Sequence, residues 1–348
     1  MPLSNPELPI ICDEWQGNPI SPDGRFYHPE YPFALTWADI LKWKSKPNPY
    51  RAQKKRDTWQ APVVKDDSFL RHGRNVMVWL GHASFFFRLN GVSILIDPVF
   101  GKLSPFMPRH SGLPVAPEKF RNLDLILVTH DHRDHCDAKS LRLLAQNNPK
   151  AHIVTGLNMP PLLRRWTNGH RITDMGWFQQ FEVADADLKI TYLPTRHWCR
   201  RWLTDTNRRL WGAFVLQTKD LTIYFGGDSG YGSHFRQTAE LFPKIDYAIL
   251  GIGAFAPEWF MHTNHMSPHD AMQAFRDLRA GKLVSMHYGT FDLSDEPLGE
   301  PLRLMREIAG RENATSEMEF LKIGENSPLD FRLAAKTTES GKFVADNV

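Results

Sequence analysis

The stretch Thr129–Asp137 reads THDHRDHCD and gathers His130, His132, Asp134 and His135 within six residues. Imidazole nitrogens with a carboxylate oxygen form the donor set that zinc prefers and that iron and manganese also accept. A histidine met alone is more often a surface or satisfied core residue, but a solvated loop has little reason to collect four such donors. His130 and His132 alternate along an extended segment, so both rings can face one side. Asp134 and His135 lie beyond the turn and can reach a second position. Two adjacent metal positions are therefore expected.

Outward from this cluster, DLILVTH reads as a strand ending at His130, and DAKSLRLLAQN reads as a helix that Asp137 caps. The cluster thus sits on a strand-to-helix loop. VMVWL, SFFFRL and VSILID before it, and HIVTG, LKITYLP, AFVLQT, LTIYFGG and YAILGI after it, are short β-branched and aromatic runs read as strands. PLLRRW and FRQTAELF are helical candidates between them. Ser267, Pro268 and Asp270 suit the N-cap, N1 and N3 positions of a helix running to about Arg279, with Gly281 as its stop. LVSMH follows as a strand ending at His287. Interspersed strands and helices indicate an α/β (α+β) fold. Three further donors, His197, Asp228 and His287, stand at or just past strand ends, where scaffolds usually mount their chemistry. Gly226 and Gly227 before Asp228 would let backbone approach a metal centre closely.

The 348 residues, with 42% hydrophobic and 23% charged, describe a folded chain rather than a disordered or fibrous one. A net charge of +3 is too small to argue for nucleic acid or membrane by itself. Cys12, Cys136 and Cys199 form no disulfide framework and fit a reducing, cytoplasmic setting. Pro2, Pro6 and Pro9 interrupt a start that lacks a secretion signal, and no apolar run spans a bilayer. The expected organisation is an N-terminal extension over 1–70, a hydrolase domain over 71–335 and a C-terminal tail over 336–348. Within the extension, a short helix is expected around Trp37 to Trp43. KWKSKPNPYRAQKKR, from Lys42 to Arg56, carries seven basic residues and no acidic one, with Trp43 and Tyr50 interleaved. A solvated face is the plain reading, and peripheral contact with an anionic membrane is the functional one.

THDHRDH matches the H-x-H-x-D-H motif of the metallo-β-lactamase superfamily, and WLGHASFFFRLNGVSILIDPVF resembles its opening hairpin. LPTRHWCRR, LWGAFVL, YFGGDSGY, GIGAFAPEWFM, HMSPHDA and MHYGTF resemble the N-acyl-phosphatidylethanolamine-hydrolysing phospholipase D group and its bacterial relatives, over about residues 75 to 325. The resemblance implies an αββα four-layer sandwich and a pair of divalent ions, zinc by donor type. It implies that His130, His132 and His197 hold one ion, that Asp134, His135 and His287 hold the other, and that Asp228 bridges them. Asp97 falls at the aspartate that buttresses the metal loop. Asp134 and His265 would be catalytic, Asp134 taking or orienting a proton and His265 meeting a substrate phosphate. Animal members of the group lack the SPHDA run, and Tyr288 stands where they have a tryptophan.

The function this implies is a phosphodiesterase of phospholipase D type, cleaving an N-acylphosphatidylethanolamine or a related phospholipid. A sugar-phosphate lactonase keeps the metals and changes the bond. A non-catalytic metal-binding protein is the reading from another class, opposed by all seven donor positions being filled. No specific nucleic acid is expected, and a homodimer is left open. His82 reads either as support for a ligand or as a packed turn residue, and His269 as a surface residue. Cys136 and Cys199 are expected to be small buried apolar groups. Trp198, Trp202, Trp211, Trp259 and Phe260 could line an apolar mouth beside the metals.

Overall fold

A computed structural model describes residues 3–33 and 36–329; the expected tail over 336–348 lies outside them. Among the described residues, two seven-stranded sheets carry the fold. The first contains β1 (Val76–Gly81), β2 (Ser84–Leu89), β3 (Val92–Ile96), β4 (Leu125–Val128), β5 (His152–Gly156) and β6 (Ile172–Met175). The second contains β7 (Gln179–Val183), β8 (Leu188–Leu193), β9 (Ala213–Gln217), β10 (Thr222–Phe225), β11 (Ile245–Gly251), β12 (Ala280–Met286) and β13 (Met318–Glu319). β14 (Ser327–Pro328) returns to the first sheet and pairs antiparallel with β1.

Each sheet is antiparallel on one side and parallel on the other. In the first, β1, β2 and β3 pair antiparallel, while β3 to β6 pair parallel. Strand alternation divides the core accordingly. Met77 and Trp79 of β1 face the second sheet, whereas Val76, Val78 and Leu80 face the helices outside. Burial on both faces explains why these strands read as unbroken apolar runs.

Among the described residues the α-helices are α1 (Trp37–Ser45), α2 (Arg51–Arg56), α3 (Ala138–Asn147), α4 (Pro160–Leu163), α5 (His234–Leu241), α6 (Glu258–Met261), α7 (Pro268–Asp277) and α8 (Glu300–Arg311). Leu141 and Leu144 of α3 and Leu162 and Leu163 of α4 cover the outside of the first sheet. α5, α7 and α8 cover the second, completing an αββα sandwich. Asp137 caps α3 through Ser140 N, and Ser267 with Asp270 forms a full capping box on α7. The stop of α7 differs from expectation. Arg279 takes the left-handed turn (φ 52°), and Gly281 already lies inside β12. The segment before β1 lies along the body: Ile10 bridges to Gln179 of β7, and Val63 to Ile323.

Candidate metal centre

Loops at one edge of the two sheets build the site. Asp97 follows β3, the His130–His135 run follows β4, His197 follows β8, Asp228 follows β10, and His287 follows β12 directly. β8, β10 and β12 run in one direction, as two antiparallel steps and then two parallel ones dictate, so their C-terminal ends share an edge. Three of the positions need backbone that most side chains avoid. His82, Asp97 and His287 have φ of 54°, 44° and 63°. Left-handed backbone at non-glycine residues concentrates at functional sites.

The sequence-predicted donors converge in two groups. In the first, His132 Nδ1 lies 2.9 Å from His130 Nε2 and 3.1 Å from His197 Nε2. Asp228 Oδ2 is 3.9 Å from His130 Nε2 and 3.7 Å from His197 Nε2. In the second, His135 Nε2 and His287 Nε2 each lie 3.1 Å from an oxygen of Asp228, and 3.7 and 3.6 Å from Asp134 Oδ2. Asp228 therefore borders both groups. His82 Nε2, 3.0 Å from Asp134 Oδ2, completes the second group as a support for the carboxylate.

The donor chemistry fits cations. His135 Nε2 and His287 Nε2 face the second group, buried and without a well-directed hydrogen bond, which native interiors rarely tolerate. Burial drives His130 and His197 well below the usual imidazole range. Their neutral lone pairs face His132 at contact distance, the arrangement a shared cation resolves. In the second group, burial opposes charge on His135 and His287, but the carboxylates of Asp228 and Asp134 outweigh it. They lift His135 well above its ordinary value and His287 to about 9. Burial opposes ionisation of Asp228 too, yet His135 and His287 hold it well below the carboxylate range. The constellation demands positive charge at its centre.

The outer nitrogens of His135 and His197 are fixed by partners, which aims the inner ones. His135 Nδ1 donates to Asp97 Oδ2 at 2.8 Å, and Asp97 also accepts from Thr129 N at 2.8 Å and Thr129 Oγ1 at 2.6 Å. His197 Nδ1 donates to Asn264 O at 3.0 Å. Asn264 and Thr129 escaped the sequence reading because a backbone carbonyl and a threonine carry no signal of their own.

Arg201 escaped it too. It is buried, and its Nη1 donates to Asp131 O at 3.2 Å and to Cys136 O at 2.6 Å, gripping the metal loop at both ends. Arg209 Nε joins Asp131 Oδ2 at 2.6 Å. Both arginines come from the β8–β9 connection that carries His197. Gly227 has φ 55°, and a Cβ there would lie 2.9 Å from Gly212 O. The glycine thus relieves a clash with neighbouring backbone.

A cleft of about 400 Å³ opens from the site. His132 and His265 stand in it, and Phe33, Trp37, Trp198 and Leu203 are among its walls. His265 Nδ1 is 3.8 Å from Asp228 Oδ2, and burial pushes its ring down to about 4. Phe260 also lines this cleft, and Trp259 lines a neighbouring one. Trp202 is exposed beside it, while Trp211 is core, its Nε1 bonded to Thr195 O at 3.0 Å. Cys136 and Cys199 are buried, Cys136 pushed up to about 12 by burial, and His269 is on the surface.

A two-sheet sandwich with a histidine–aspartate constellation on its loop edge defines a metal-dependent hydrolase. Residues 93–288, more than half of the chain, match the beta-lactamase superfamily domain, and the chain belongs to that family. It is 28% identical to N-acyl-phosphatidylethanolamine-hydrolyzing phospholipase D 1 of Caenorhabditis elegans, over 75% of this chain and 77% of that protein. It is 31% identical to the mitochondrial N-acyl-phosphatidylethanolamine-hydrolyzing phospholipase D of Saccharomyces cerevisiae, over 66% of this chain. Only 51% of the yeast protein is covered, so the chain spans about half its length. Igni18, a metallo hydrolase of Ignicoccus hospitalis, has a similar structure with a TM-score of 0.57 at 19% identity, over 74% of this chain and 99% of that one.

Proposed function

We propose that the chain is a binuclear metallophosphodiesterase of phospholipase D type, acting on an N-acylated or related phospholipid. The observation that carries this reading is the cleft: its walls are largely apolar, and His132 of the first donor group stands in it beside His265, which lies within reach of Asp228 and His287. An amphiphile with a phosphodiester between its apolar and polar parts suits such a site. The names of the worm and yeast relatives support the same substrate class. His130, His132 and His197 would hold one cation and Asp134, His135 and His287 the other, with Asp228 shared. What two divalent ions, zinc by donor type, supply when bound is an acidified water and compensation of phosphoryl charge.

The chain's own groups do the rest. Water oxygen bonds to phosphorus as the bond from phosphorus to the head-group oxygen breaks. Asp134, kept ionised against burial by His135, His287 and His82, would orient or take up the water's proton, which passes on to the departing head-group oxygen. His265, neutral on the cleft floor, can donate one N–H to a phosphoryl oxygen. The test is metal content per chain by elemental analysis, paired with hydrolysis of a chromogenic phosphodiester and of a lactone. About two metals per chain with phosphodiester turnover is the expected result. Lactone turnover alone would favour a lactonase, and fewer than about one metal in zinc-supplied protein would sink the two-ion site.

A further inference from the structure

Seven large apolar side chains are exposed among the described residues; Trp37 and Leu203 line the cleft, and Trp259 lines the neighbouring one. Leu41 and Trp202 stand next to the first two along the chain: Leu41 lies one turn along α1 from Trp37, and Trp202 adjoins Leu203. Single exposed apolar residues need no explanation, but a rim of them does. α1 fully buries none of its residues, and it presents Trp37 and Leu41 to solvent.

Basic groups are interleaved with the rim. Lys42 Nζ sits 4.7 Å over the Trp259 ring, and Arg133 lies 5.5 Å over Trp202. Lys42, Lys44 and Arg133 are exposed and pair with no carboxylate among the described residues. Other residues of the basic run contribute differently. Lys54 is tied to Asp292, and Trp43 turns inward against Phe260 with its Nε1 on Asp295.

We propose that the cleft rim docks the protein on an anionic lipid surface, with Trp37, Leu41, Trp202 and Leu203 entering the interfacial layer. Lys42, Lys44 and Arg133 then meet lipid phosphates. A second copy of the chain is the poorer occupant, since a two-fold contact would set these like charges against one another. Among the described residues no helix is long and apolar enough to cross a membrane, so the contact is one of lying on the surface. The inference deepens the phospholipid reading, because docking at this rim would bring the cleft mouth to the substrate layer.

The test is flotation of the metal-loaded full chain with phosphatidylcholine vesicles, with and without phosphatidylglycerol. The wild type should float with the anionic vesicles and be released by high salt. Leu41→Ser with Trp202→Ser, two residues outside the cleft lining, should weaken binding about tenfold or more. That variant should keep its thermal midpoint and its turnover of a soluble chromogenic phosphodiester. Phe106→Ser, also exposed but away from the cleft lining, should bind as wild type. Absence of binding by the wild type, or equal binding by the double variant, overturns the proposal. So does a wild-type dimer that the double variant dissolves, which would assign the rim to contact between copies. Vesicle binding by a protein without phosphodiester turnover supports the docking face and sinks the phosphodiesterase reading instead.

Discussion

The floor of the site and its mouth are built on opposite terms. On the floor several donors are held from behind: Asp97 takes three hydrogen bonds, Arg201 grips both ends of the metal loop, and Asn264 fixes the His197 ring. At the mouth, Leu203 and Trp37 are 77% and 55% exposed, and what touches Trp37 includes the Arg200 guanidinium stacked 5.0 Å from its ring. Metal chemistry tolerates little displacement, so its residues are over-determined. A surface that meets flexible chains has no such requirement. The contrast teaches that, on the proposed reading, reaction class and substrate choice reside in separable parts of this molecule.

That separation can be broken by experiment. Asp228→Ala strikes the residue common to both donor groups. It should lower kcat/KM by about a thousandfold or more toward soluble and long-chain substrates alike, with metal content falling in parallel. A loss confined to long-chain substrate would refute the division. Asp97→Asn disturbs the floor from one layer out, replacing the acceptor of the His135 Nδ1–H. Chelator competition should show zinc affinity reduced by about 10- to 100-fold. Unchanged affinity would mean the His135 ring needs no aiming.

Smaller effects sharpen the other side. Leu203→Ser removes an exposed apolar wall and should raise KM for a long-chain phospholipid by roughly three- to tenfold, as the lost apolar contact implies, with turnover of a small chromogenic substrate unchanged. An equal effect on both substrates would place Leu203 on the floor. The smallest expected change concerns the N-terminal segment and the acid limb of stability. Burial holds His28 at about 4 against an ordinary 6.5, with Glu30 pulling weakly the other way. A depressed base is protonated first in the unfolded chain. Its stabilising share is whole above pH 6.5 and is lost as pH falls toward 4. The thermal midpoint of His28→Asn should therefore fall less steeply than that of the wild type across that window. Parallel slopes would show that His28 does not contribute.

The floor was also the legible part. Four of its donors lie in one heptapeptide, and His197, Asp228 and His287 stand at the ends of strands whose apolar runs are plain. Of its supports, Asp97 was read through the family resemblance and His82 as one of two readings, but Arg201 and Asn264 were not legible, because they act through backbone carbonyls that any sequence provides. Of the fold, β6 and β7 were missed since ITDM and QQFEV are short and half polar, as suits strands at the ends of their sheets. α8 was there to be read. Pro301 near its start and Leu302, Met305, Ile308 and Ala309 on its buried side follow helical spacing. The mouth was half legible: Trp198 and Phe260 line it, but Trp211 belongs to the core and no pattern separates the two uses.

One small closure has a practical consequence. Asn207 N donates to Cys199 O at 2.9 Å while Asn207 Oδ1 accepts from Cys199 N at 3.1 Å, so the intervening loop is tied off at its neck. Asp205 Oδ1 gathers the amides of Arg201 and Trp202 inside it. Such a necked loop is a natural cassette. Provided Arg201 and the Cys199–Asn207 tie are retained, Trp202 to Thr204 can be exchanged for other residues or other lengths without moving His197. Libraries built there would vary what the enzyme accepts while leaving the reaction itself untouched.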